Sequence, residues 1–120
     1  PASMAAALDV LSEMDATGMR VAVLGEMGEL GSEERRLHGY VGAYAAAKGL
    51  DMLVFIGGGL ASEMAEAART MGASEDRLQL FPTVDAAVET LAPVFSRGDL
   101  VLVKASRSCG LDAFARGVLR

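Results

Sequence analysis

Charged and hydroxyl side chains follow two apolar runs of this chain, and they are the residues best suited to chemistry. The first group is Glu26 and Glu29, in a segment whose glycines recur at 25, 28 and 31. The second is the segment Lys104–Ser108, which includes Ser106 and Arg107. Two cations with two hydroxyls can bind a carboxylate or a phosphate, and a glutamate can hold an ammonium. Together these groups suit a zwitterion such as an amino acid.

The glycine spacing G-x-x-G-x-x-G is neither the dinucleotide fingerprint G-x-G-x-x-G nor a P-loop. Glu26 and Glu29 would repel phosphate, so this segment does not predict a phosphate cradle. The glycines could simply allow tight turns. Lys104 and Arg107 could likewise belong to a solvated loop with an incidental surface ion pair. From the residues alone, a ligand site and a solvated loop both stay open.

Four apolar segments read as strands, as in a parallel sheet covered by helices. Arg20–Gly25 and Leu100–Val103 are expected to be buried on both faces, Met52–Ile56 is a further buried strand, and Leu78–Phe81 is a shorter one. Helical patterns lie before, between and after them. Short right-handed crossovers then predict an α/β, three-layer Rossmann-like domain with a mainly parallel sheet of about four strands flanked by helices. We expect the strand order 3-2-1-4, which places both charged segments at the topological switch point, where ligands bind.

The helices of this pattern are predicted from their caps and apolar spacing. Ser3 is expected to cap the first helix, and Thr83 the fourth. The second helix is expected to begin at Ser32, with Tyr40 in its apolar stripe. His38 would lie beside that stripe, where a lone histidine is usually a surface or boundary residue. The methionines are expected to fill the core rather than to form a ligand set.

Composition excludes several classes of protein. The chain has 120 residues, enough for one domain with a real core, and a formal net charge of −5. That charge, without a basic run or an aromatic platform, argues against binding of nucleic acid or an anionic membrane. A single cysteine, Cys109, excludes an internal disulfide and fits a reducing compartment, and with one histidine it argues against zinc. No apolar run approaches 18 residues, so we expect no membrane span and a cytoplasmic protein.

Four segments resemble, in the same order, the C-terminal domain of the Mur ligase family. In that family they read Asn-Pro-x-Ser-Met, then Gly-Asp-Met-x-Glu-Leu-Gly, then a helix, then Val-Lys-Gly-Ser-Arg. The matching segments here are Pro1–Met4, Val23–Gly31, Leu37–Gly42 and Leu102–Ser108. Two positions depart from the family pattern. Glu26 replaces an aspartate and keeps the charge, whereas Ala105 replaces a glycine and reduces backbone freedom.

The resemblance implies an ATP-dependent ligase of peptidoglycan precursor synthesis, and it is strongest to members that add D-alanyl-D-alanine to UDP-N-acetylmuramoyl-tripeptide. In the family, the first domain binds the UDP-sugar and the central domain carries the P-loop and the magnesium ligands. The third domain closes over ATP and helps to hold the incoming amine. The chain, residues 1–120, would be this third domain, excised from a longer protein and working against its own N-terminal and central domains. ATP and Mg²⁺ would bind mainly to the missing central domain, so the fragment alone would be inactive.

The same resemblance implies roles in substrate or nucleotide binding on both loops. Lys104, Ser106 and Arg107 would line the closed cleft, and Glu26, Glu29 and His38 would shape the loop that faces them. No catalytic residue and no metal ligand is assigned. The alternative is a free-standing Rossmann-like module that binds nucleotide or a partner without catalysis. A start codon directly before Pro1 would favour that alternative.

Overall fold

In the computed structural model the four strands form one parallel sheet. The model describes residues 2–104 and 111–118, without the side chains of 111–113. The strands are β1 (Arg20–Gly25), β2 (Met52–Ile56), β3 (Leu78–Phe81) and β4 (Leu100–Lys104). They pair in the order β3-β2-β1-β4, and every pair is parallel. The α/β class and the strand order expected from the sequence are therefore confirmed.

Helices cover both faces of the sheet. They are α1 (Ala2–Glu13), α2 (Glu34–Ala46), α3 (Gly59–Thr70), α4 (Val84–Leu91) and α5 (Leu111–Val118). Successive strand residues point to opposite faces, so β1 feeds two separate cores. Ala22 and Leu24 pack with residues of α1, α2 and α3, whereas Val21 and Val23 pack with residues of α4 and α5. The result is the predicted three-layer architecture.

Two of the predicted helix starts are wrong and one is confirmed. Thr83 caps α4, since its Oγ1 accepts a hydrogen bond of 3.1 Å from the N–H of Ala86. Ser3 does not cap α1, because that helix already includes it. A short 3₁₀ turn over Gly31–Glu33 precedes α2, so the α-helix begins at Glu34 rather than at Ser32. Short 3₁₀ turns are frequent at helix N-termini, and apolar spacing does not reveal them.

The inward face of α2 also differs from the prediction. Tyr40 is 48% exposed, whereas His38 is completely buried. The reason is a close approach of α2 to α3 at Gly42, where an added Cβ would lie 2.1 Å from the carbonyl oxygen of Met64. This contact fixes the rotation of the helix and turns Val41 and His38 toward the core.

Among the described residues, no helix is long and apolar enough to cross a membrane.

Candidate functional site

The carboxyl ends of β1 and β4 lie side by side and define the candidate site. Leu24 and Lys104 are partners in the parallel register, so the loop after Gly25 begins next to the end of β4. Lys104 therefore shares a face of the sheet with Leu24 and is half-buried. Ser106 and Arg107, the other residues predicted on this loop, lie outside the described residues. On the described part of the chain, the site is formed by Lys104 and the loop from Gly25 to Gly31.

Glu26 joins this loop to the start of α3. Its Oε2 accepts hydrogen bonds from the backbone N–H groups of Gly58 at 2.9 Å, Leu60 at 3.1 Å and Ala61 at 3.1 Å. The first N–H groups of a helix have no partner within the helix, and they carry the positive end of its dipole. The carboxylate of Glu26 therefore serves as the N-terminal cap of a helix that begins 33 residues away in the sequence.

The glycines after β2 make room for this carboxylate. Gly57 has φ +145, and an added Cβ would lie 2.6 Å from Cδ of Glu26. The sequence does not reveal this pairing, because three successive glycines at 57 to 59 are by themselves typical of a flexible turn. The signal was the absence of a capping side chain at Gly58, which meant that the N–H groups of α3 needed an acceptor from elsewhere.

His38 anchors the same loop to α2. Its Nε2 accepts a hydrogen bond of 2.9 Å from the N–H of Met27, and its Nδ1 lies 2.6 Å from the carbonyl oxygen of Glu34. Only an imidazole with the proton on Nδ1 satisfies both partners, so the ring is neutral. Because His38 is completely buried, it does not reach solvent. Its position suits fixing the loop on α2 rather than touching a ligand.

Glu29 lies at the exposed turn of this loop. Its φ is 61°, and it is the one non-glycine residue with positive φ in the described chain. Side chains rarely adopt this left-handed region, because Cβ crowds the backbone there. Gly31, two residues later, has φ 62 and completes the turn into the 3₁₀ segment. Glu29 is exposed, and within the described ranges its carboxylate makes no hydrogen bond or ion pair.

A groove of about 470 Å³ opens beside the loop, between the starts of α2 and α3. Glu26 and Glu34 line it, and Arg35 pairs with Glu63 across it. A larger groove of about 610 Å³ lies elsewhere, along the outer edge of β4 against α5. That groove is not at the carboxyl ends of the strands, where ligands of such sheets bind, so the smaller groove is the better candidate.

An ATP-dependent reaction needs groups that hold a metal ion and phosphates. No set of three or more His, Cys, Asp and Glu side chains among them is arranged to hold a metal ion. The N-terminus of α3 would attract a phosphate, but the carboxylate of Glu26 already occupies it.

Comparison with known proteins gives the same family throughout. A family model described as "Mur ligase, glutamate ligase domain" matches residues 1–107. The chain is 38% identical over 114 residues to the UDP-N-acetylmuramoyl-tripeptide–D-alanyl-D-alanine ligase of Treponema pallidum, covering 93% of this chain and 24% of that protein. The ligase of the same name from Escherichia coli (strain K12) is 33% identical over 118 residues, covering 97% of this chain and 24% of that protein.

Solved structures agree with the sequence relatives. MurF from Acinetobacter baumannii superposes with a TM-score of 0.83 at 28% identity, over 98% of this chain and 25% of that one. The MurF ligase of Thermotoga maritima, solved in complex with ADP, shares the fold with a TM-score of 0.73 at 24% identity, over 98% of this chain and 25% of that one. The chain spans about a quarter of the length of these relatives.

Proposed function

The chain belongs to the Mur ligase family, and from that premise we propose that it is the C-terminal domain of an ATP-dependent ligase that adds D-alanyl-D-alanine to UDP-N-acetylmuramoyl-tripeptide. One observation carries this proposal. Between 78 and 99% of the chain matches proteins named for that reaction, at 31 to 38% identity in five bacteria. The matched share of those proteins is about a quarter or less, as expected for one domain of three.

The reaction of such a ligase is amide formation. The tripeptide carboxylate takes the terminal phosphoryl group of ATP, which forms an acyl phosphate and releases ADP. The dipeptide amine, once its ammonium has lost a proton, attacks the carbonyl carbon, and inorganic phosphate leaves as the amide forms. By the family resemblance, we place ATP and Mg²⁺ mainly on the central domain. The role left for this domain is to close over that centre, exclude water and hold the incoming amine.

Two kinds of residue support that role. Lys104, at the end of a strand in the sheet, offers a cation for a carboxylate or phosphate from a stem that the sheet fixes. By resemblance, Ser106 and Arg107 belong with it. Opposite them, His38 and Glu26 hold the glycine loop at two points, which keeps its geometry before any ligand arrives. Such preorganisation is what orientation of two reactants requires.

The cellular setting follows from the same proposal. The substrates are a nucleotide-linked precursor, a dipeptide and ATP, which meet in the cytoplasm. The partners are the N-terminal and central domains of the same protein, rather than nucleic acid or a membrane. The single cysteine fits a reducing compartment.

Reading the coding sequence upstream of Pro1 tests the proposal directly. We expect it to encode a P-loop ending in Gly-Lys-Ser or Gly-Lys-Thr, and an asparagine immediately before Pro1. A start codon directly before Pro1 would refute the ligase and favour a free-standing nucleotide-binding or interaction module.

An activity measurement gives the second test. The full-length protein should release phosphate from ATP only when both D-alanyl-D-alanine and UDP-N-acetylmuramoyl-tripeptide are present. The isolated chain should show no turnover, because it lacks the P-loop that orients the phosphates and magnesium. Turnover by the isolated chain would contradict the proposal that ATP and Mg²⁺ bind mainly to the central domain.

A further inference from the structure

The two glutamates of the glycine loop differ in what their carboxylates already bind. Glu26 accepts three backbone N–H groups of the α3 N-terminus, so its charge is committed to the fold. Glu29 is exposed, without a partner in the described ranges. We propose that Glu29 binds the ammonium group of the incoming D-alanyl-D-alanine, and that Glu26 does not. This inference rests on the proposed function and deepens it, because it assigns the amine half of the substrate to one residue.

The backbone of Glu29 supports this assignment. A glycine would adopt φ 61 freely, whereas a glutamate adopts it at a cost. The loop is not loosely held on either side, since His38 binds the N–H of Met27 and the 3₁₀ turn begins at Gly31. A side chain that is exposed on a well-anchored loop contributes little to the fold through burial. Its use is therefore a contact with a group outside the described residues.

The charges around Glu29 leave its carboxylate available for a cation. The two arginines at the start of α2 are already paired, Arg35 with Glu63 and Arg36 with Glu33. Neither of them neutralises Glu29 in the structure. A dipeptide amine has a pKa near 8 and arrives largely as an ammonium at neutral pH. An exposed carboxylate that has no partner among the described residues is suited to bind it.

The dipeptide is a zwitterion, and the site offers opposite charges on adjacent strand ends. Lys104 ends β4 beside Leu24, and the loop that carries Glu29 begins one residue later on β1. A cation on one loop and a carboxylate on the other match the carboxylate and the ammonium of one small ligand. Swapping the roles of Glu26 and Glu29 would require breaking the cap of α3.

Steady-state kinetics of the full-length ligase tests the assignment. Glu29→Gln keeps the size of the side chain and removes the charge, so KM for D-alanyl-D-alanine should rise by about 10- to 100-fold, the value of one charged hydrogen bond. KM for ATP and for the UDP-linked tripeptide should stay within about twofold. Glu29→Asp keeps the charge and should recover part of the affinity. Glu89→Gln removes an exposed carboxylate from α4, on the opposite face of the sheet, and should change none of the three constants.

Two further measurements separate an ammonium contact from a general effect on the loop. N-acetyl-D-alanyl-D-alanine lacks the ammonium, so it should inhibit wild-type and Glu29→Gln enzymes with equal inhibition constants. Glu29→Gly relieves the backbone strain, so it should melt no lower than wild type and yet show the same rise in KM. An unchanged KM for D-alanyl-D-alanine in Glu29→Gln, or an equal rise for all three substrates, would overturn the assignment. Wild-type enzyme without turnover dependent on D-alanyl-D-alanine would instead refute the proposed function, and the assignment with it.

Discussion

The two ends of the sheet use their carboxylates in different ways. At the amino end, Asp99 accepts the N–H groups of Met19 and Ser96, both at 2.8 Å, and Asp51 accepts the N–H of Arg20 at 2.8 Å. These bonds close the turns that lead into the strands. At the carboxyl end, Glu26 likewise accepts backbone N–H groups, at the start of α3. Carboxylates therefore complete turns or a helix end at both ends of the sheet. Within the described residues Glu29 and Lys104 make no such hydrogen bond, and we propose that a ligand uses them.

The largest effect is expected from removing a cation at the carboxyl end of the sheet, compared with removing one at the amino end. In the full-length ligase, Lys104→Ala should lower kcat/KM by about 30- to 1000-fold, because a charged contact in a closed, water-poor cleft contributes about 2–4 kcal/mol. Arg97→Ala, which removes an exposed cation at the amino end, should leave kcat/KM unchanged. Kinetics with ATP and D-alanyl-D-alanine varied separately would show this. Wild-type constants in Lys104→Ala would mean that the two ends do not differ in function.

The second prediction concerns the buried imidazole that supports the loop. His38→Ala removes the partner of the Met27 N–H and of the Glu34 carbonyl oxygen, and it leaves a cavity. We expect a loss of about 2–4 kcal/mol in the free energy of unfolding of the isolated chain, measured by urea denaturation. Tyr44→Phe, which removes a single half-buried hydroxyl toward the C-terminal end of α2, should cost less. Equal losses of stability in the two variants would show that the imidazole contributes no more to the fold than one half-buried hydroxyl.

These features also show where sequence reasoning reached its limit. Strand positions and strand order were predictable, because four uninterrupted apolar runs and short crossovers allow few topologies. The burial of His38 was not, because the rotation of α2 depends on the tertiary contact between Gly42 and Met64. The cap that Glu26 provides was missed for a related reason, since its partners lie in another βα loop. The predicted roles of Ser106 and Arg107 remain predictions.

The third prediction concerns Glu26, the carboxylate that closes a helix end at the carboxyl end of the sheet. Glu26→Ala should destabilise the isolated chain by about 1–2 kcal/mol, because it removes the acceptor at the positive end of α3. Gly57→Ala should also destabilise, since its Cβ would meet the Glu26 side chain. The double variant should lose less free energy of unfolding than the sum of the losses in the two single variants. The reason is that the Cβ added by Gly57→Ala no longer clashes once the Glu26 side chain has been shortened. Strict additivity in urea denaturation would mean that the two residues do not share the space.

The smallest effect on stability should come from protonation of Asp9, which lies near the C-terminal end of α2. Asp9 on α1 accepts hydrogen bonds from Lys48 and Tyr44, both at 2.6 Å, and the Lys48 ammonium lies 4.7 Å from the Tyr44 ring centroid. The hydrogen bond from Lys48, followed by the one from Tyr44, lowers the pKa of Asp9 below its ordinary value. The same contacts with Asp9 raise the pKa of Tyr44 and the pKa of Lys48.

The signs of these shifts set the expected pH dependence. Because the folded-state pKa of Asp9 is depressed, its contribution is complete above the unfolded pKa near 4 and disappears as the pH falls through the folded value. The raised pKa values of Lys48 and Tyr44 give the opposite dependence, with a contribution lost as the pH rises through their folded values. Asp9→Asn should therefore be less stable than wild type at pH 7, and the difference in urea midpoint should shrink below about pH 4. Asp15→Asn, which removes an exposed carboxylate beyond the end of α1, is the matched control. A constant difference between Asp9→Asn and wild type from pH 7 to pH 3 would mean that the charge of Asp9 adds nothing to the stability of the fold.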